Sequence, residues 1–253
     1  MDILSLVNLS LNQFFFVILI ILIASIVRGF NGFGFSAISV SGLAFILPVI
    51  EIVPIILLLE VLISIFMIPY IWNQIDWKFI IQILIGIIIG SPIGLFLLKY
   101  LSPNITNLII CIIVIVFSFL LMTGYKNTKI NNSYLKILTG GISGFLNGFS
   151  TLGGLLVALF LLVTNVQYTL IRASLAALFF FTDAYAFILS FFIGIIDMTV
   201  IYRTISVIIF LPIGIYIGDK FFIKTKETTY RKIVLYFLIF ISIFGIIKIF
   251  LNL

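Results

Sequence analysis

The residues best placed to do chemistry are polar or charged groups stranded inside apolar runs. Two strings hold most of them: Arg28-Gly29-Phe30-Asn31-Gly32-Phe33-Gly34, with Ser36 just after it, and Asn147-Gly148-Phe149-Ser150-Thr151-Leu152-Gly153-Gly154. A guanidinium buried at the position of Arg28 costs at least about 2.5–3.5 kcal/mol in a lipid environment, so it requires a partner. That partner is either a bound anion matched to its planar fork, such as a sulfonate or carboxylate, or Glu60 at comparable depth in the next apolar run. Glu60 and Asp183 are the acidic residues deepest within long runs. An unpaired carboxylate there takes up a proton, which makes both candidates for proton coupling; a permanent Arg28 to Glu60 salt bridge is the plainer alternative. Arg172 lies about one turn inside its run and is a further candidate for anion binding, although snorkelling to the interface explains it equally well.

The glycines suit such a site. Gly29, Gly32, Gly34, Gly148 and Gly153 permit tight turns and close backbone approach, and Asn31, Ser36, Asn147, Ser150 and Thr151 add neutral hydrogen-bonding groups. A helix starting after each break aims free N–H groups and the positive end of its dipole at the same place, a geometry suited to an anion. The alternative is that these small residues only let helices pack closely. Glu51, Asp76, Asp197 and Asp219 stand near run ends and read as caps or loop charges. Pro92, Gly94, Pro212 and Gly214 read as packing positions, and Trp72 and Trp77 as interfacial anchors.

What must position these residues is a set of membrane helices. Of the 253 residues 64% are hydrophobic and 9% charged, far from the roughly 25% charged of a soluble domain. The runs are too long and too uniformly apolar for barrel strands. They extend over Phe14 to Val27, Phe33 to Leu47, Ile52 to Trp72, Phe79 to Leu98 and Ile105 to Gly124. After a polar linker at Tyr125 to Tyr134 they resume over Leu135 to Phe149, Leu152 to Val163, Tyr168 to Ile195, Thr199 to Ile217 and Tyr230 to Leu251. Asn31-Gly32-Phe33 matches Asn147-Gly148-Phe149, Asp76 matches Asp197, and Pro92-Ile93-Gly94 matches Pro212-Ile213-Gly214, in the same order and at similar spacing. The chain is therefore read as one all-α, polytopic membrane domain of two repeats, about 11–124 and 135–253, joined by a linker at about 125–134.

The first two runs of each repeat, about 12 to 15 residues, give roughly 18–23 Å of helix against a hydrocarbon core of about 30 Å. Each pair is read as a re-entrant hairpin followed by three full crossings, with two strongly tilted crossings as the alternative. With paired returns, Lys78, the Lys126 to Lys136 cluster, Arg172 and the basic residues from Lys220 to Lys232 gather on one face, leaving Lys99, Arg203 and Lys248 on the other. A single broken crossing per pair divides them nearly evenly. The positive-inside rule favours the pairs, which places the linker in the cytoplasm and both termini outside and inverts the second repeat.

Several classes are disfavoured by composition. There is no His and a single Cys, Cys111, so zinc, haem and iron–sulfur sites lack ligands and no cofactor is expected. No glycine-rich loop ends in Gly-Lys-Ser/Thr, and no nucleophile and base pair suggests an enzyme. The net charge of +6 belongs to loop lysines and does not imply nucleic acid. The first run lacks a basic leader and cleavage site and is expected to stay in the protein. Partners are expected to be a small anion and membrane lipid, with self-association open. Flux through the hairpins is carried by alternating access or, alternatively, by an anion channel.

The string Val27 to Gly34, the helix ending at Pro48 and Leu58-Leu59-Glu60 together resemble the TauE/SafE sulfite exporter family of sulfite and sulfonate permeases. Asp76-Trp77, Gly90-Ser91-Pro92-Ile93-Gly94, the stretch Gly141 to Gly154 and Ile171-Arg172-Ala173 extend the likeness over nearly the whole chain. Phe35 departs from it, standing where many members carry a smaller residue, as does Thr164, where a proline is frequent. The resemblance implies transport of small sulfur-containing or organic anions across the cytoplasmic membrane, with protons as a coupling ion, and anion binding at Arg28 and the glycine tips.

Overall fold

A computed structural model describes residues 6–124, 132–163, 168–224, 236, 239–240, 242–243 and 245–247. Among them every regular element is helical: α1 Leu11–Asn31, α2 Phe35–Leu43, α3 Val49–Ile71, α4 Trp77–Tyr100, α5 Pro103–Thr123, α6 Ser133–Ser150, α7 Gly153–Val163, α8 Tyr168–Ile193, α9 Met198–Val207 and α10 Phe210–Lys224. Local chemistry fixes the starts. Ser10 and Gln13 form a reciprocal capping box on α1, Asp76 accepts from Phe79 N (3.0 Å) on α4, and Asp197 accepts from Val200 N (2.8 Å) on α9. Asp76 and Asp197 are thus the caps expected of them. α1, α3, α4, α5 and α8 are long and apolar enough to cross a membrane, and α9 with α10 forms a sixth candidate bent by 45°. Pro212, which cannot donate to the preceding turn, stands just after that bend.

Each half of the chain opens with a helical pair that folds back on itself. A Cβ placed on Gly42 would lie 2.8 Å from Ile20 Cδ1, although Ile20 stands about three turns before the break at Gly32–Gly34 and Gly42 about two turns after it. In the second pair Ser143 Oγ donates to Gly153 O across 2.9 Å, ten residues along the chain. A single crossing interrupted by a kink would keep these groups far apart. The arms are unequal: 21 and nine residues in the first pair, 18 and 11 in the second. α1 exceeds the apolar run read from sequence because it starts at the Ser10 cap and stays helical through Arg28 and Gly29. Its length reaches about 31 Å, enough to span the bilayer core. The sequence placed the break at Gly29 to Gly34 and at Asn147 to Gly154; the structure confines it to Gly32–Gly34 and Thr151–Leu152.

The long arm of each pair packs on a helix from the other half of the chain. Gly86, Gly90 and Gly94 of α4 lie against Gly140, Gly144 and Gly148 of α6 so closely that a Cβ on Gly90 would collide with the Gly141 carbonyl oxygen. Gly214 and Gly218 of α10 pack in the same way on Ser25 and Ile26 of α1. Spacing of four puts these residues on one helix face and lets backbones meet, the usual device of membrane helices. The packing roles read for Gly94 and Gly214 agree. Cys111 is buried on α5 beside Gly245.

α3 and α8 form the centre and run antiparallel. Just beyond the end of α3, Asp76 N donates to Ser174 Oγ near the start of α8 (3.1 Å). Glu60 and Asp183 each lie near the middle of their helix. Lys99 at the end of α4 reaches Ile193 O at the end of α8 (2.8 Å), whereas Lys136 faces the Phe79 ring at the start of α4. Trp72 and Trp77 stack edge-on at 4.9 Å between centroids, beside the same end as Lys136. Thr164, Lys126, Lys129 and the linker residues 125–131 lie outside the described residues.

Candidate functional site

The first tip is organised by Arg28. α1 ends with Gly32 in the left-handed conformation (φ 74°), its N–H bonded to Arg28 O, and the Arg28 side chain turns back so that Nη1 donates to Gly32 O. The guanidinium thereby satisfies a terminal carbonyl at the negative end of its own helix. It is fully buried. Nε stands 3.2 Å from Oε2 of Glu60, Nη2 reaches Ser64 Oγ at 3.5 Å, and one face of the fork lies on the Phe179 ring, with Cζ 4.2 Å from the ring centroid. Glu60 is also buried, and its Oε1 accepts from Ser36 Oγ at 2.8 Å.

α2 contributes its positive end to the same spot. Its N-cap is Gly34, φ 96°, with no side chain capping the first amides. The Glu60 carboxylate thus sits between a guanidinium and the first turn of a helix, where an anion is favoured. The pair is imperfect: Arg28 Nε and Glu60 Oε2 make no hydrogen bond among the described residues despite their proximity. Phe35, the bulky departure from the family pattern, is fully buried at the start of α2.

The second tip carries a neutral counterpart. Asn147, in the last turn of α6, donates through Nδ2 to Asp183 Oδ1 (2.8 Å), and Thr182 Oγ1 adds a longer bond to the same oxygen (3.3 Å). Asp183 interacts electrostatically with both Glu60 and Arg28, so the two tips share one buried polar centre. Ser150 donates to Leu146 O (2.9 Å) and Thr151, φ 61°, to Ser150 O (2.6 Å); their hydroxyls serve the turn itself.

The structure brings Arg28, Gly32, Ser36 and Glu60 together at one tip and Asn147 with Asp183 at the other. Gly29 and Gly148 sit instead within helices, against Ile215 and Ser91, and Gly153 packs on Ser143. Asn31 closes α1, and its side chain lies outside the described residues. Arg172 reaches the first tip from α8: its Nη2 donates to Gly29 O (2.6 Å) and to Asp219 Oδ1 (2.7 Å), and its side chain covers Gly32. Asp219, read as an end charge, is therefore an ion-pair partner. So is Glu51, which meets Arg203 of α9, a residue that entered the sequence reading only in the charge balance of the two faces. Arg203 Nε also holds Val7 O at 2.8 Å. Since α3 and α8 are antiparallel, the Arg203–Glu51 and Arg172–Asp219 pairs close opposite ends of the central helix pair, with the buried centre between them. Phe179 was missed as well, hidden in a run of three phenylalanines.

Residues 17–245 match the profile of the family described as sulfite exporter TauE/SafE. The chain belongs to that family. Membership implies a membrane transporter of the sulfite or sulfonate type, in keeping with the apolar helices of this TauE/SafE protein. No curated protein and no solved structure matches the chain.

Proposed function

We propose that this TauE/SafE protein is a secondary transporter that carries a small organic or sulfur-containing anion, of the sulfite, sulfonate or sulfoacetate kind, across the cytoplasmic membrane by alternating access. The observation that carries the reading is the position of the Glu60 carboxylate. It lies beside Arg28, accepts from Ser36 and faces the uncapped start of α2. Those groups are what an oxyanion of a substrate needs. Glu60 and the substrate therefore compete for Arg28. Protonation of Glu60 removes its charge and releases the guanidinium to the incoming anion, which couples anion binding to uptake of one proton; Asp183 is the second candidate for that role.

Alternating access is favoured over an open channel by the burial of the centre and by the ion pairs at its two ends, each of which can open while the other holds. The reciprocal packing of α4 on α6 and α10 on α1 supports two inverted repeats. The segregation of Lys99 from Lys136 supports a cytoplasmic linker with both termini outside. Purified protein in proteoliposomes tests the reading: a pH gradient should drive saturable accumulation of radiolabelled sulfite or a short sulfonate. Flux that does not saturate and ignores the gradient would replace the carrier with a channel.

A further inference from the structure

Phe179 stands one helical turn before Asp183 on α8, so both point toward the two tips. Its ring covers one face of the Arg28 guanidinium. Its Cε1 and Cζ fill the space in which Gly154, at the start of α7, would otherwise carry a side chain. The ring is thus held between the cation of the first hairpin and a glycine of the second, and it is almost completely buried. A guanidinium receives an oxyanion in its own plane, through its N–H edges. A ring stacked on its face does not cover the edge that Glu60 faces in this structure, where the anion would compete with that carboxylate, and it takes up the volume beside it, between the tips.

Building on the carrier reading above, we propose that Phe179 determines which anions the site accepts. The oxyanion head binds along the guanidinium edge, and a tetrahedral sulfur held there by two oxygens carries its substituent out of that plane, on the side where the ring lies. With phenylalanine there, the site takes anions bearing a hydrogen-sized or methyl-sized substituent and rejects those bearing a ring or long chain. Gly154 belongs to the same device, because a larger residue there would press the ring toward Arg28.

The test uses the full-length protein in detergent and compares affinities for sulfite, methanesulfonate and benzenesulfonate by calorimetry. Phe179→Leu should raise the affinity for benzenesulfonate relative to methanesulfonate by about tenfold or more, the scale on which pocket volume discriminates substrates. Gly154→Ala should shift the same ratio the opposite way. Phe179→Met, equal in volume to Leu but unbranched and more adaptable in packing, covers the case of a Leu variant that does not fold, and should move the ratio in the same direction as Leu. Reading a ratio separates the role from general destabilisation, which weakens both ligands alike. Ratios within twofold of the wild type in the Leu or Met variant, with methanesulfonate still bound, would overturn the role of Phe179 and leave the carrier reading intact. Failure of the wild type to bind any of the three anions would overturn both.

Discussion

Arg28 Nε lies 3.2 Å from Glu60 Oε2, yet neither atom makes a hydrogen bond among the described residues. Both are buried, so the contact rests on the attraction of opposite charges out of water. On the proposed carrier reading, a substrate oxyanion aligned with the fork would take the place of the Glu60 carboxylate, which is also bonded to Ser36.

Glu60→Gln keeps an acceptor for Ser36 but removes the competing charge. Anion affinity is expected to rise by about tenfold, comparable with one charge-assisted hydrogen bond of roughly 1.5–3 kcal/mol. Proton-driven accumulation should disappear while exchange persists. Without ligand the variant should melt earlier, because breaking a buried pair costs about 3–5 kcal/mol, and saturating anion should recover more of that loss than it adds to the wild type. Calorimetry at fixed pH and counterflow in proteoliposomes check both parts; normal accumulation by this variant removes Glu60 from coupling.

Arg28→Lys retains the charge and discards the fork. A lysine cannot bind Gly32 O and an oxyanion in one plane, so ligand-induced thermal stabilisation should fall below detection while the protein still elutes as a folded species. Undiminished stabilisation by sulfite would mean that the anion binds elsewhere.

Two adjacent glycines offer a sharp contrast in packing. A Cβ on Gly140 would collide with the Ile83 carbonyl, whereas one on Gly141 would stay 3.9 Å from Gly86 O. Gly140→Ala should destabilise by about 1–3 kcal/mol or more, since two backbones must separate, and Gly141→Ala should be close to neutral. Thermal melts of the two variants in one detergent decide the matter, and equal melting temperatures would contradict the close seam between α4 and α6.

If the end-closing ion pairs act as gates, each should guard one face. In a Cys111→Ser background, Ser64→Cys places a thiol beside Arg28 at a fully buried position. Glu51→Gln should raise its labelling by an impermeant maleimide several-fold from the side of α9, and Asp219→Asn from the side of Lys136. Labelling that is the same from both sides in each variant would show that these pairs do not gate.

Much of this arrangement was legible before any coordinates. The Asn-Gly-Phe repeats located the chain reversals, composition required helices, and the isolation of Arg28 in an apolar run demanded a partner, which proved to be Glu60. The length of α1 was not legible, because Gly29 resembles a helix breaker in isolation; its lack of a side chain is needed for contact with Ile215 of α10, and the helix continues through it. Glu51 and Asp219 looked like end charges, and Arg203 like one more basic residue of its face, because their partners are far away in sequence: Arg203 is 152 residues from Glu51. Phe179 could not be told from its phenylalanine neighbours, since helical position alone does not say which ring meets a cation. The fourfold spacing of glycines in α4 and α6 was present in the sequence, but which two helices it joined depends on the tertiary fold.

The packing of helices across the two halves of the chain also sets an order of assembly. As the chain leaves the ribosome, α4 meets its partner α6 soon after the linker is made. α1 is made first, but about 190 residues separate Ser25 from Gly214, so its seam closes among the last. Until then the Ser25 to Gly29 edge faces lipid or the insertion machinery, and Gly29 O lacks the donor that Arg172 later supplies. Neither half is complete without the other, and a chain stopped before α10 leaves its first helix without the surface it was shaped to meet.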